Sequence, residues 1–185
     1  DVQVSPTVQG MEETCFSLTV PNEVEMPEAG WPLVIYAHGI LGDRFSPFKD
    51  GTIDLLSTIP TDTGIAHAAV LSIDQLLHGS RAADGPFQPP EYFLNLGNPS
   101  TLSGHPLQMA AELFQLEAFA SAASWSAENS PTGKDIRFDL SRVYVIGHSI
   151  GAKAAILAGS QSLLLQGMVL GGVGGGLPLN LAKRS

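Results

Sequence analysis

Cysteine is nearly absent from this chain: Cys15 is the only one in 185 residues. A lone thiol excludes an intrachain disulfide and a multi-cysteine metal site, and it leaves the compartment open. Positive charge is scarce as well, with 9 Lys+Arg against 18 Asp+Glu and a net charge of −9. No basic cluster interrupts that balance, so electrostatic binding to nucleic acid or to an anionic membrane surface is not expected. Long apolar runs are also missing. The most apolar stretch, Leu163 to Leu179, is broken by Gln166, by six glycines between Gly167 and Gly176 and by Pro178. It is too short and too interrupted for a transmembrane span. The chain starts at Asp1 without a basic-then-apolar leader, which predicts a processed or trimmed product. No His/Asp/Glu grouping has the spacing of a catalytic zinc site, so no metal is expected.

What is present reads as one globular domain over residues 1–185. Hydrophobic residues make up 44% and charged residues 15%, a balance that permits a packed core with little disorder. Five β-type runs stand out: Cys15–Val20, Leu33–Ala37, Ala68–Ile73, Val143–Ile146 and Met168–Leu170, the last extending toward Val173. The middle three alternate little, as strands covered on both faces do. Apolar residues at Leu107, Ala111, Phe114, Ala118, Ala122 and Trp125 predict a helix over His105–Trp125 with that stripe facing the core. A second helix is expected from Ile150 to about Leu165, and a weaker one over Gly51–Thr58, ending before Pro60. Strands alternating with helices imply a mostly parallel sheet flanked by helices on both faces, an α/β architecture. The proline-rich segment Gly79–Ser100 reads as a long irregular excursion of the kind that borders sites.

The chemistry concentrates at Gly147-His148-Ser149-Ile150-Gly151, preceded by the run Val143–Ile146 and followed by Ala152–Ala158. This is G-x-S-x-G between a strand and a helix, the arrangement of a nucleophile elbow. Ser149 would be held on a sharp, strained turn, and Gly147 and Gly151, lacking a Cβ, would let strand and helix approach it closely. The N–H of Ile150, at the start of the helix, would face a developing oxyanion. Upstream, Trp31-Pro32-Leu33-Val34-Ile35-Tyr36-Ala37 runs into His38-Gly39-Ile40-Leu41-Gly42.

Taken in order, WPLVIYAHGILGDR, AAVLSIDQLLHGSR and SRVYVIGHSIGAKAAILAG resemble the α/β-hydrolase superfamily, and within it secreted bacterial lipases and esterases. The resemblance covers about Leu18 to Pro178. It implies an eight-stranded, mostly parallel sheet in a complete member, a small-molecule or lipid ester substrate, and a secreted or cell-envelope location. It implies an acyl-serine mechanism at Ser149, with the Ile40 N–H as the second oxyanion donor and Gly39 allowing the bend. His38 is expected to brace that loop rather than act as base. Asp74, His78 and Ser80 lie close together in sequence, but the resemblance places them in a structural loop near the pocket mouth. His67, His105 and His148 have no sequence-identifiable partners; His148 is expected to pack and Lys153 to be solvated. The run Gly171–Gly176 fails the G-x-G-x-x-G dinucleotide spacing. It suggests close backbone approach beside the pocket, and no cofactor is expected.

One requirement is unmet. Serine chemistry needs a base and a carboxylate to orient it, and in this fold they follow the serine as Asp or Glu and then His. From Ile150 to Ser185 the sequence contains no Asp, Glu or His. Two readings follow. In one, this is the nucleophile-bearing portion of a truncated or divided hydrolase, whose acid and base lie in a missing C-terminal segment or on a second chain. In the other, the chain is a non-catalytic binding or structural remnant.

Overall fold

The computed structural model describes residues 7, 8, 10–82 and 98–174, the side chains of 99–102 excepted. Strands β1 Phe16–Thr19 and β2 Trp31–Ala37 come first, followed by helices α1 Ser46–Lys49 and α2 Thr52–Ser57. A hairpin of β3 Ile59–Thr61 and β4 Gly64–Ala66 leads into β5 Ala69–Ile73 and a 3₁₀ turn at Gly79–Arg81. Helix α3 Pro99–Ala122, strand β6 Phe138–His148, helix α4 Ile150–Gly159 and strand β7 Leu165–Gly171 complete the order.

Five strands form one sheet in the order β1-β5-β2-β6-β7. β1 runs antiparallel to β5, and the other three pairings are parallel. β2 and β5 are buried along their whole length, which is why their sequences read as continuous apolar runs. β6 departs from that expectation. Val143, Val145 and Gly147 are buried while Tyr144 is 38% exposed, so the strand alternates and one of its faces is partly open. Helices α3 and α4 pack on each other; α4 also packs on β2, β6 and β7, while α2 packs against β5. The core gathers Leu33, Ile35, Leu71, Val143 and Val145 with Met109, Leu113, Ala154 and Ala158. Each large aliphatic side chain there contributes about 1.5–3 kcal/mol by leaving water.

The face of α3 is the clearest correction. Leu107, Ala111, Phe114, Ala118 and Ala122 point to solvent, with Leu107 61% exposed. Met109, Ala110, Leu113, Leu116 and Ala120 are buried, together with Glu112 and Glu117. Both stripes satisfy helical spacing because alanine occupies each, and two buried carboxylates disguise the inner one. Trp125 lies beyond the helix, where its N–H donates to the Ile136 carbonyl at 2.9 Å. Helix α4 ends at Gly159 rather than near Leu165. The Ser162 hydroxyl oxygen accepts from the N–H groups of Leu164 and Leu165 and turns the chain into β7. The excursion over Gly79–Ser100 and the far end of Gly171–Gly176 fall largely outside the described residues.

Candidate active site

The chain leaves β2 for β5 on one side and leaves β6 for β7 on the other, so the strand order reverses between the neighbours β2 and β6. The carboxyl ends of parallel strands at such a reversal form a crevice where open α/β sheets bind ligands. Ala37 pairs with Gly147 and His148 with Gly171, so the loops after β2, β6 and β7 leave the sheet side by side.

Ser149 sits at that crevice, between β6 and α4, with φ 55° and ψ −113°. Non-glycine residues rarely adopt positive φ, and holding one there costs about 1–3 kcal/mol. Packing enforces the turn. A Cβ on Gly151 would lie 2.1 Å from the Ala37 carbonyl oxygen, and one on Gly147 would lie 2.6 Å from the Ala152 Cα. The Ser149 N–H donates to the Gly171 carbonyl at 2.7 Å, which ties the turn to the end of β7.

The loop after β2 lies against the turn. A Cβ on Gly39 would come within 3.1 Å of the Ser149 Cβ and 2.8 Å of the His148 Nδ1. Ile40 is half-buried and Ile150 buried; among the described residues, neither amide N–H donates to a protein acceptor. His38 fixes the loop from beneath and is fully buried. Its Nε2 faces the Gln75 N–H at 3.2 Å, a group that can only donate, so the ring proton belongs on Nδ1 and is given to the Gly39 carbonyl at 2.9 Å. The Gln75 side chain returns a hydrogen bond to the His38 carbonyl at 2.6 Å. Burial pushes the His38 imidazole down to about 4, and with both nitrogens engaged it braces the loop as a neutral ring.

No family model matches the sequence, and no curated protein does. Solved structures do match. A highly thermostable carboxyl esterase from Bacillus coagulans aligns at TM-score 0.52 and 19% identity, covering 91% of this chain and 42% of that one. Est1E from Butyrivibrio proteoclasticus, solved with ferulic acid, aligns at 0.51 and 16%, covering 84% and 47%. An acetyl xylan esterase from Paenibacillus sp. R4 aligns at 0.50 and 19%, covering 83% and 42%. This chain has the α/β-hydrolase fold. It spans less than half the length of each of these three proteins.

Within that α/β-hydrolase fold, the other polar residues near the crevice are mostly structural. Asp74 is fully buried and accepts from the Arg44 N–H at 2.8 Å, the Arg44 guanidinium at 2.5 Å, and the Ser80 N–H and hydroxyl at 2.9 and 2.8 Å. Burial pushes its carboxyl up, but these donors outweigh that and hold it below the ordinary aspartate range. His78 turns its Nδ1 to the Leu76 carbonyl at 2.7 Å and packs edge-on against His38. The four bonds on Asp74 thus order the loop after β5. His67 is bonded to the Ser57 carbonyl, away from the crevice. His105 is buried in α3. Lys153 is half-buried rather than fully solvated. Gly172, at φ 67°, brings the start of the glycine run to the Ser149 turn, where an added Cβ would lie 3.7 Å from the Ser149 nitrogen.

Two features had no signal in the sequence. Gln75 became a loop brace only because β5 lies beside β2, bringing it to His38 from 37 positions away. Tyr36, read as a strand residue, donates its hydroxyl proton to Asp50. His148 is exposed, and its imidazole acts electrostatically on the same Asp50 carboxylate.

Proposed function

We propose that this chain is the nucleophile-bearing part of a serine hydrolase that cleaves carboxylic esters through an acyl-Ser149 intermediate. The observation that carries the reading is the strained Ser149 turn with the Gly39 loop packed against it. Strain of this kind gathers at functional sites, and its place at a serine between strand and helix supports the catalytic reading over a binding or structural remnant. In the reaction, the Ser149 Oγ attacks the ester carbonyl as a base takes its proton, and the carbonyl oxygen becomes an oxyanion. The N–H groups of Ile40, on the braced loop, and of Ile150, at the helix N-terminus, are the proposed donors to it. Removing one such donor lowers turnover by about 10²–10³-fold. Collapse of the intermediate expels the alcohol, and water then releases the acid from Ser149.

The base and its carboxylate are assigned to a further segment of the polypeptide or to a second chain. The basis is chemical: no Asp, Glu or His follows Ser149 in the sequence, and His38 has both nitrogens occupied. A small-molecule or lipid ester is the proposed substrate class and a secreted or cell-envelope location the proposed site of action. Among the described residues, no helix is long and apolar enough to cross a membrane. The test is p-nitrophenyl acetate turnover by the active enzyme and its Ser149→Ala variant. Loss of activity to the background rate is expected. Retention of turnover by that variant would overturn the assignment.

A further inference from the structure

A groove of about 280 Å³ runs along the 39–42 loop, and His148, the residue before Ser149, forms part of its wall. Its other walls, besides the loop glycines, are Tyr36, Ile40, Leu41, Ser46, Lys49 and Asp50. A larger hollow of about 590 Å³, between residues 10–16 and α3, takes no wall from the loops around Ser149. The groove is therefore the space that a substrate at Ser149 would meet beside the oxyanion loop.

The polar groups of this groove have fixed roles. Asp50 accepts from the Tyr36 hydroxyl and, at 2.9 Å, from the Thr52 N–H. Partial burial pushes its carboxyl up, but those two bonds and the His148 imidazole hold it below the ordinary range. Asp50 is thus an ionised, exposed acceptor with lone pairs to spare. Lys49 only donates; it gives one bond to the Asp43 carboxylate at 2.6 Å, which leaves two further protons. The Ser46 hydroxyl oxygen accepts from the Asp43 N–H at 3.0 Å, which leaves its own proton available. Leu41, held at φ 71° and 56% exposed, and the half-buried Ile40 add the apolar surface.

These walls discriminate by charge and by hydration. A ligand of either sign meets one attractive and one repulsive group, because Lys49 and Asp50 stand side by side. An alkyl chain would strip water from both without replacing the lost hydrogen bonds, which is unfavourable. A hydroxyl group can donate to Asp50 and accept from Lys49 or Ser46, and several hydroxyls on one carbon frame could use all three, with the frame against Leu41. We infer that this groove is a subsite for a neutral, polyhydroxylated moiety of the substrate, carbohydrate-like in its chemistry. The inference rests on Ser149 being the nucleophile and names the class of ester it attacks.

The experiment compares two acetates of similar shape, methyl α-glucoside 6-acetate and cyclohexylmethyl acetate, on the active enzyme with its base-bearing part present. Inhibition of p-nitrophenyl acetate turnover by free methyl α-glucoside is read alongside. The ratio of kcat/KM values should favour the glucoside ester by about ten-fold or more, since a site that hydrogen-bonds hydroxyls rejects analogues lacking them. Asp50→Asn should reduce that ratio about ten-fold, as loss of a charged partner does. Lys49→Ala, at a side chain 63% exposed, should reduce it about three-fold and weaken glucoside inhibition in parallel. A wild-type ratio near one, or a ratio unchanged in both variants while Ser149 still reacts with a fluorophosphonate, overturns the subsite alone. Absence of that reaction overturns the nucleophile and the subsite together.

Discussion

Replacing Gly151 with alanine tests the close approach on which the Ser149 turn depends. The new Cβ would lie 2.1 Å from the Ala37 carbonyl oxygen, 2.5 Å from its carbon and 2.6 Å from the His38 carbonyl oxygen. Carbon–oxygen contacts settle at about 3.3 Å or more, so α4 and the end of β2 must part by roughly 1 Å. Overpacking costs about 1–3 kcal/mol, and the upper end applies because every obstructing atom is backbone. Alanine is favoured over glycine in a helix by about 1 kcal/mol, too little to reverse the sign. The net loss expected is about 2 kcal/mol. With a urea dependence of about 2 kcal/mol per molar, the unfolding midpoint should fall by about 1 M. Gly171→Ala is the matched control: its Cβ would meet nothing closer than 3.7 Å, and its stability should stay within about 0.5 kcal/mol of wild type, a midpoint change of about 0.25 M. An unchanged or raised midpoint for Gly151→Ala, or an equal loss for Gly171→Ala, would refute the packing argument.

Asp74→Ala removes one partner of a buried ion pair and should cost about 3 kcal/mol at pH 7 by chemical denaturation. Because the folded carboxyl titrates below its ordinary value of about 3.9, the stability it supplies is whole above that pH. It is lost as the pH falls through the lower folded value, so acid unfolding of the variant should be shallower in that window. Glu117 behaves in the opposite sense. Burial raises its carboxyl against a single hydrogen bond from Ser162, and its Oε1 has no partner among the described residues. Its contribution therefore declines as the pH rises above about 4.3 through the raised value. Glu117→Gln keeps an acceptor for Ser162 and should raise stability at pH 7 by about 0.5–1 kcal/mol, measured by the thermal midpoint; a lower midpoint would contradict this. His38→Asn should lower kcat by about ten-fold through loss of loop order while leaving the pH–rate limb above pH 6 in place. A ring held to about 4 does not titrate there, and disappearance of that limb would make His38 the base after all.

Much of the sheet and the Ser149 turn was legible because their signals are local. The apolar runs of β2 and β5 mark strands buried on both faces, and the glycines flanking Ser149 are ones whose Cβ would strike backbone. The α3 face was not legible. Its alanines satisfy helical spacing on two sides, and the inner side carries Glu112, whose charge is met by Arg81 at 2.9 Å from beyond β5. The hairpin of β3 and β4 escaped notice because three-residue strands carry too little pattern to distinguish from loop. The long-range polar links, Gln75 to His38 and Tyr36 to Asp50, depend on which loops the strand order brings together. No spacing within either segment encodes that.

The account stands on Ser149 being the atom that attacks. Incubating the active enzyme with a fluorophosphonate and locating the adduct by peptide mass spectrometry tests this most directly. The account predicts one stoichiometric phosphonyl adduct on Ser149, with ester turnover lost in proportion. A modified serine elsewhere, or full turnover with Ser149 unmodified, would contradict it.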